Sequence, residues 1–211
     1  MRSILRVIIF TWEFPPRIVG QLSHYVNRLA VELVRKGLDI HVVTYNNSWK
    51  GYHEGADGVK AYRISDPFRP QINILTWVLS LNQEVERIAA DIYYSVKREV
   101  DLIDVQEWHF VPAAVSLKRA LKIPFVFSID SLENHRSHGS HLPLNLSIMS
   151  VESLGVDESD RIIVKSDWMK HEVNQAYNAP LEKIKIVSPS SPYWIDETLI
   201  AYQKESKVIA G

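Results

Sequence analysis

The stretch that decides the fold is Ile4-Leu5-Arg6-Val7-Ile8-Ile9-Phe10, a mostly aliphatic run that is soon followed by a pair of prolines. A run of this kind is typical of a strand buried on both faces of a parallel sheet. Over residues 21–36 the apolar side chains recur every three or four positions, which predicts a helix that ends at Gly37. Residues 40–44 predict a second strand, so the N-terminal segment predicts one βαβ unit.

The same alternation continues along the chain. Strands are predicted at residues 59–64, 102–105, 124–129, 161–164 and 184–187, and helices at 74–97, 113–121, 144–154 and 167–177. This pattern predicts an α/β domain with a Rossmann-like open parallel sheet and helices on both faces. Ligands of such sheets bind beyond the carboxyl ends of the strands, which directs attention to the loops at 11–21, 106–110, 130–141 and 165–167.

Composition restricts the class of protein. The 211 residues are 46% hydrophobic and carry a formal net charge of -1, which argues against a dedicated nucleic-acid surface. The absence of cysteine excludes disulfides and thiolate metal sites. No apolar run approaches the ~20 residues that span a bilayer, and no signal-peptide cleavage pattern follows the N-terminus. We therefore expect a cytoplasmic domain with no membrane span.

The loop after the first strand has one glycine, Gly20, immediately before the predicted helix. The dinucleotide-binding pattern G-x-G-x-x-G is absent, because no Gly-x-Gly occurs in the chain. Backbone N–H groups at this position are able to bind an anion. Alternatively, Gly20 serves only a tight turn in an ordinary strand-to-helix connection.

Four segments, taken in order, carry a family resemblance. They are Glu13-Phe14-Pro15-Pro16 with Gly20-Gln21-Leu22, Asp101-Leu102-Ile103-Asp104-Val105-Gln106-Glu107-Trp108-His109, Pro124-Phe125-Val126-Phe127-Ser128-Ile129-Asp130-Ser131-Leu132-Glu133, and Asp160-Arg161-Ile162-Ile163-Val164-Lys165-Ser166-Asp167-Trp168-Met169-Lys170. Together they resemble the N-terminal domain of GT-B glycosyltransferases of the glycogen- and starch-synthase-like kind.

The resemblance implies the acceptor-binding half of a retaining hexosyltransferase, which moves glucose or a similar sugar from a sugar nucleotide to a glucan or sugar acceptor. It implies no cofactor and no metal, with ADP- or UDP-glucose as the type of donor. It makes residues 1–190 the acceptor-side domain and 191–211 a linker or crossover helix. The donor-binding domain is absent from this chain, so we expect a C-terminal donor domain or a separate partner chain. The residues it implicates are Asp130 for catalysis and Arg17, Gly20, Gln21, Glu107, Trp108, His109 and Ser166 for substrate binding.

This chain departs from the family pattern at functional positions. Gln21 replaces the second glycine of a pair, Asp130 replaces a histidine beside the transferred sugar, and residues 188–192 replace an Asn-Gly segment. These departures keep open a second reading, a catalytically degenerate domain that binds carbohydrate or partners an active chain. A sugar-nucleotide epimerase fits the same segments less well.

Other patterns favour ordinary structural roles. His135, His138 and His141 predict a polar surface loop, because their spacing does not place three imidazoles around one metal ion. Glu197 and Glu205 match a Glu-x7-Glu spacing of retaining enzymes, but the pair does not follow a strand and a glycine-rich turn, so we interpret the match as coincidence.

Overall fold

Strand β1 (Arg6–Thr11) lies in the interior of an open sheet in the computed structural model, which describes residues 4–48, 50–55, 57–65 and 72–206. The other strands are β2 (Asp39–Tyr45), β3 (Gly51–Glu54), β4 (Lys60–Ile64), β5 (Leu102–Gln106), β6 (Phe125–Ile129), β7 (Arg161–Val164) and β8 (Ile184–Ile186). The strand order within the described residues is β3-β4-β2-β1-β5-β6-β7-β8, and every pairing except that of β3 with β4 is parallel. The predicted fold class, an open and mostly parallel α/β sheet, is confirmed.

Helices cover both faces of the sheet. They are α1 (Gln21–Arg35), α2 (Ile74–Ser95), α3 (Val111–Leu121), α4 (Glu133–Arg136), α5 (Pro143–Glu158), α6 (Asp167–Tyr177) and α7 (Trp194–Glu205), with a 3-10 turn at Trp108–Phe110. Side chains of β1 alternate between two hydrophobic clusters, with Ile8 and Phe10 packed on the α2, α3 and α5 side and Val7 and Ile9 on the α1 and α7 side. All four are fully buried, which explains why the strand has no polar face.

The observed elements differ from the predicted ones mainly at their ends. Strand β1 begins at Arg6, because Ile4 lies outside the paired region and is half exposed. Helix α2 ends at Ser95, since Lys97 and Arg98 adopt left-handed backbone angles that an α-helix excludes. Strand β3 was not predicted, because its four residues are all exposed and show no apolar alternation.

Helix α7 packs against the sheet of its own domain. Tyr202 is fully buried, and its hydroxyl donates a hydrogen bond to the Asp104 carboxylate in β5. Burial raises the pKa of Asp104 to about 6, although hydrogen bonds from Tyr202, Ser128 and Gln106 oppose the effect. Within the segment predicted as a linker or crossover helix, Trp194–Glu205 is helical and contacts β6, and residues 207–211 lie outside the described residues. Whether the segment 191–211 reaches a second domain stays a prediction.

Gly155 marks a close approach of α5 to the sheet. A Cβ at this position would lie 2.7 Å and 2.8 Å from Phe127 ring atoms and 2.9 Å from Val111 Cγ2. Ala would improve helix propensity by about 1 kcal/mol, but the overpacking would outweigh that gain. We expect Gly155→Ala to lower the free energy of unfolding by about 1–3 kcal/mol in urea titrations. Ser150→Ala on the exposed face of α5 is the matched control, and an unchanged midpoint for Gly155→Ala would contradict this packing.

Candidate functional site

The carboxyl ends of β1, β5 and β6 border a cavity of about 520 Å³. A volume of this size suits a small-molecule site. The lining consists of apolar and aromatic side chains together with four carboxylates, one arginine and two carboxamides: Trp12, Glu13, Gln21, Leu22, Ile74, Glu107, Trp108, His109, Asp130, Ser131, Glu133, Arg136, Leu144, Asn145 and Ile148. Five of the sequence-predicted residues, Gln21, Glu107, Trp108, His109 and Asp130, are thus brought together.

Glu107 holds the loop that follows β6. Its backbone lies in the left-handed region (φ 67°), and its side chain is buried. Oε1 accepts hydrogen bonds from the backbone N–H groups of Asp130 (2.6 Å) and Ser131 (3.0 Å). Burial raises the pKa of Glu107 to about 7, against the opposing effects of Arg136 and the two amides. This carboxyl group consequently changes protonation state near neutral pH.

Arg136, in the short helix α4, is surrounded by three carboxylates. Its guanidinium lies 3.3 Å from Glu107 and 3.1 Å from Glu133, and it forms a short ion pair with Glu152. Glu152 also accepts a hydrogen bond from the Tyr177 hydroxyl and is almost fully buried. One guanidinium therefore contacts three buried acidic groups at the cavity, and its single charge offsets only part of theirs.

Asp130 lies at the edge of the cavity, with 40% of its side-chain surface exposed. Its Oδ1 is 2.8 Å from Lys165 Nζ, which lies 4.0 Å from the centre of the Tyr25 ring. Asp130 therefore belongs to the cleft at the sheet edge and is not a core residue. Its negative charge is matched by Lys165, which directly follows the neighbouring strand β7.

Aromatic rings form one wall of the site. The His109 ring stacks between Trp12 (4.8 Å between centroids) and Trp108 (4.4 Å). Burial lowers the pKa of His109 to about 3, and the charges of Arg136 and Arg17 add to the effect, so the imidazole is neutral at pH 7. Its Nδ1 is buried with no hydrogen-bond partner among the described residues. The two tryptophans cover the faces of the His109 ring, and Trp108 is itself only 3% exposed, so the stack is a packed wall of the cavity.

Gly20, predicted to approach phosphate, is engaged by the protein itself. Its backbone N–H donates to Glu13 Oε2 at 2.7 Å, and the N–H of Val19 donates to the same oxygen at 2.5 Å. Gln21 is the first residue of α1, and its side chain is one of those that line the cavity. The predicted loop is therefore at the site, but an internal carboxylate occupies its amide donors.

Two further predicted residues lie outside the cavity lining. The Arg17 guanidinium is stacked 4.4 Å above Trp12 and 4.8 Å above Tyr45, and Nη1 donates to the Trp12 carbonyl. Ser166 caps α6, where its hydroxyl accepts a hydrogen bond from the Met169 N–H at 3.2 Å. Arg17 thus supports a wall of the site, whereas Ser166 has a local structural role here.

The histidines of the loop after β6 do not converge on one point. His135 Nε2 is 2.8 Å from Glu172, and its ring stacks on Trp168. Within the described ranges, no group of three or more His, Asp or Glu side chains is placed to hold a metal ion. The same part of the chain contains no helix long and apolar enough to cross a membrane.

Sequence reasoning did not assign Glu13, Arg136, Trp12 or Glu133 to the site. Glu13 and Trp12 directly follow the first predicted strand, so their position at the carboxyl edge was a usable signal. The sequence gives no comparable signal for Arg136, because two of its three acidic partners, Glu107 and Glu152, are distant in sequence.

Comparison with known proteins gives a consistent result. The sequence profile described as Glycosyltransferase Family 4 matches residues 22–190. An uncharacterised glycosyltransferase of Methanocaldococcus jannaschii is 31% identical over 207 residues, which cover 95% of this chain and 50% of that protein. A glycogen synthase of Mycobacterium tuberculosis is 24% identical over 196 residues, covering 87% and 47% of the two chains. The chain spans about half the length of these relatives.

Solved structures share the fold. A sucrose-phosphate synthase from Thermosynechococcus elongatus superposes with a TM-score of 0.68 at 13% identity, over 87% of this chain and 48% of that one. The catalytic domain of starch synthase IV from Arabidopsis thaliana, bound to ADP and acarbose, gives a TM-score of 0.58 at 15% identity, over 96% and 50%. The sheet and its helices therefore match one half of these structures.

The raised pKa of Glu107 predicts a pH-dependent stability. The folded state retains the proton up to about pH 7, whereas an exposed glutamate loses it near 4.5. The contribution of the Glu107 proton to the free energy of unfolding is complete below pH 4.5 and is lost as pH rises toward 7. Its upper limit is about 3 kcal/mol. We expect Glu107→Gln to remove this part of the decline, measured as free energies of unfolding at pH 5 and pH 7. Glu182→Gln, at an exposed position, is the control; an identical decline in Glu107→Gln and the wild type would exclude Glu107 as the source.

Proposed function

Because the chain belongs to glycosyltransferase family 4, as the N-terminal domain of a GT-B glycosyltransferase, we propose that it is the acceptor-binding half of a retaining hexosyltransferase. In this proposal a glucosyl or similar unit passes from a sugar nucleotide of the ADP- or UDP-glucose type to a glucan or sugar acceptor. The reaction takes place in the cytoplasm.

The observation that supports this proposal is the cavity at the carboxyl edge of the sheet, whose lining includes both carboxylates and aromatic rings. Carboxylate oxygens accept hydrogen bonds from sugar hydroxyls, and the apolar and aromatic side chains of the same lining suit the C–H groups of a sugar ring. The cavity thus has the two kinds of contact that a sugar acceptor needs.

Asp130 is our candidate for the residue nearest the transferred sugar. Its exposed carboxylate is held by Lys165 at 2.8 Å, and its backbone is held by Glu107 at 2.6 Å. A fixed negative charge at this place would stabilise positive charge that develops on the sugar as the diphosphate departs. Asp130 does not bind the nucleotide in this proposal. Catalysis also requires a second domain that carries the nucleotide and closes the cleft to water.

The solved relatives support the type of donor. Starch synthase IV is described as bound to ADP and acarbose, and the Anabaena protein HepE as bound to UDP and glucose. This chain spans 50% and 44% of those chains, respectively, so a donor domain of similar size is the expected partner.

A second candidate function is that of a degenerate domain that binds carbohydrate or partners an active chain. It is favoured by two contacts: Asp130 is already paired with Lys165, and the amide of Gly20 is already bonded to Glu13. Both contacts reduce the number of groups available for catalysis but leave the aromatic wall intact.

Fusion of this chain to the C-terminal half of the Methanocaldococcus relative tests the proposal. We expect the fusion to transfer glucose from ADP- or UDP-glucose to oligosaccharides, with Asp130→Ala lowering kcat on the order of 100-fold because a transition-state contact is lost. Glu182→Ala is the control and should retain the wild-type rate. A fusion that binds nucleotide but whose rate does not change in Asp130→Ala would remove Asp130 from the catalytic role, and a higher rate in Asp130→His would favour the degenerate domain.

The isolated chain should bind sugar nucleotide weakly and show no turnover. The reason is that, in this proposal, the described cleft residues provide one wall of a site whose nucleotide contacts belong chiefly to a second domain. Isothermal titration calorimetry with ADP-glucose and UDP-glucose measures this directly. Micromolar affinity for the chain alone would contradict the assignment of the donor site to a second domain.

A further inference from the structure

Trp168, in the first turn of α6, has an indole ring that the rest of the domain leaves uncovered. The residue is 59% exposed, whereas Trp108 in the cavity wall is only 3% exposed. Among the described residues it belongs to neither of the two hydrophobic clusters. An indole carries one of the largest apolar surfaces of any side chain, so leaving it in water forgoes the free energy that its burial would give. The exposure of this ring therefore points to a ligand that covers it.

One face of the ring is held by a histidine. The His135 imidazole stacks on Trp168 with 5.0 Å between the ring centroids and 28° between the ring planes. His135 is itself fixed, because its Nε2 lies 2.8 Å from Oε2 of Glu172, one turn beyond Trp168 on the same side of α6. These three side chains form the α6 platform. Since more than half of Trp168 stays exposed despite the stack, the face opposite His135 is open to solvent.

The α6 platform borders the cavity of the candidate site. His135 directly precedes Arg136, whose side chain lines that cavity. On the other side, Lys165 pairs with Asp130 of the lining at 2.8 Å. The Cα atoms of Lys165 and Trp168 are at most about 11 Å apart, because three residue steps of ~3.8 Å join them. A short oligosaccharide whose end lies in the cavity would therefore reach the open face of Trp168.

The surroundings of the ring favour a sugar over a docking protein. The other exposed residues of α6 are polar or small: Asp167, His171, Gln175 and Ala176. Trp168 is thus a single ring among polar groups, whereas surfaces that bind proteins usually present a contiguous apolar patch. Side chains of Asp167 and Glu172 are 75% and 29% exposed, and their oxygens accept hydrogen bonds from hydroxyl groups. A sugar ring, apolar on its C–H face and hydroxylated at its edge, matches this arrangement.

We propose that the α6 platform binds a second sugar unit of the acceptor, so that the acceptor is an oligosaccharide that extends from the cavity across Trp168. The inference rests on the proposed function, because it takes the cavity as the place of the reacting end of the acceptor. It goes further by naming the substrate class: a monosaccharide contacts the cavity alone, whereas an oligosaccharide contacts both the cavity and the platform. Trp168 is accordingly a specificity-determining residue that does not touch the reacting atoms.

NMR titrations of the chain with glucose, maltohexaose and cellohexaose test this proposal. Loss of one indole N–H signal in Trp168→Phe assigns that signal to Trp168, and the amide signals of Ser131 and Asn145 report on the cavity. We expect at least one hexasaccharide to shift the indole and cavity signals with the same dissociation constant. Glucose should shift the cavity signals alone.

Variants at the ring give a second measurement. We expect Trp168→Ala to weaken hexasaccharide binding about 10-fold, because a covered apolar face is lost, and to leave glucose binding unchanged. Trp168→Phe keeps an aromatic face and should retain part of the affinity. Tyr94→Ala, which removes a 57% exposed aromatic side chain near the C-terminal end of α2, is the matched control and should bind both sugars as the wild type does.

Three results would overturn the proposal. Cavity signals that respond to a hexasaccharide while the Trp168 indole signal does not would leave the acceptor cavity in place and remove the platform. An indole response without a cavity response would make Trp168 a separate surface site. No response to any of the three sugars would contradict the proposed acceptor cavity as well. Because binding requires neither donor nor turnover, an inactive fusion protein does not affect this test.

Discussion

The parallel pairing of β1 with β2 on one side and β5 on the other is the constraint on which the rest of the structure depends. It gives the neighbouring strands one polarity, so the loop that follows each of them opens at the same edge. Glu13, Glu107, Asp130 and Lys165 are distant in sequence, yet each lies just beyond a strand at that edge. A register shift of one residue in β1 would reverse the two faces of the strand and bring the wrong side chains to the two cores.

Carboxylates outnumber the cationic group Arg136 at this edge, and backbone N–H groups supply part of the hydrogen bonding that these carboxylates need. Arg136 alone cannot balance Glu107, Glu133 and Glu152 in a buried environment. Glu107 and Glu152 therefore also accept backbone N–H groups, from Asp130 and Ser131 and from Glu133, respectively. Protonation near neutral pH gives Glu107 a second way to reduce its charge. The carboxylates thus determine the shapes of the loops as well as their charge.

Much of the fold follows from the sequence, because periodicity reports burial directly. The βαβ unit, the later parallel strands and most of the helices have apolar patterns that a structureless segment would not need. Strand β3 was not predicted because an exposed edge strand has no buried face. Helix α4 was not predicted because four residues do not complete a helical pattern. Within the site, three residues that the motifs implicate, Asp130, Glu107 and His109, line one cavity. The hydrogen bond from the Gly20 N–H to Glu13 was not predicted, because a sequence pattern that identifies amide donors does not show which nearby acceptor binds them.

The two departures from the family pattern at the cleft each lie beside a contact made within the chain itself. Asp130 introduces a negative charge where the family has histidine, and Lys165 lies 2.8 Å away to balance it. Gln21 introduces a side chain where the family has glycine, next to amides that Glu13 already occupies. At this edge the Asp130 carboxylate and the Gly20 amide are therefore already engaged within the chain, so a ligand that used either group would have to compete with an internal partner.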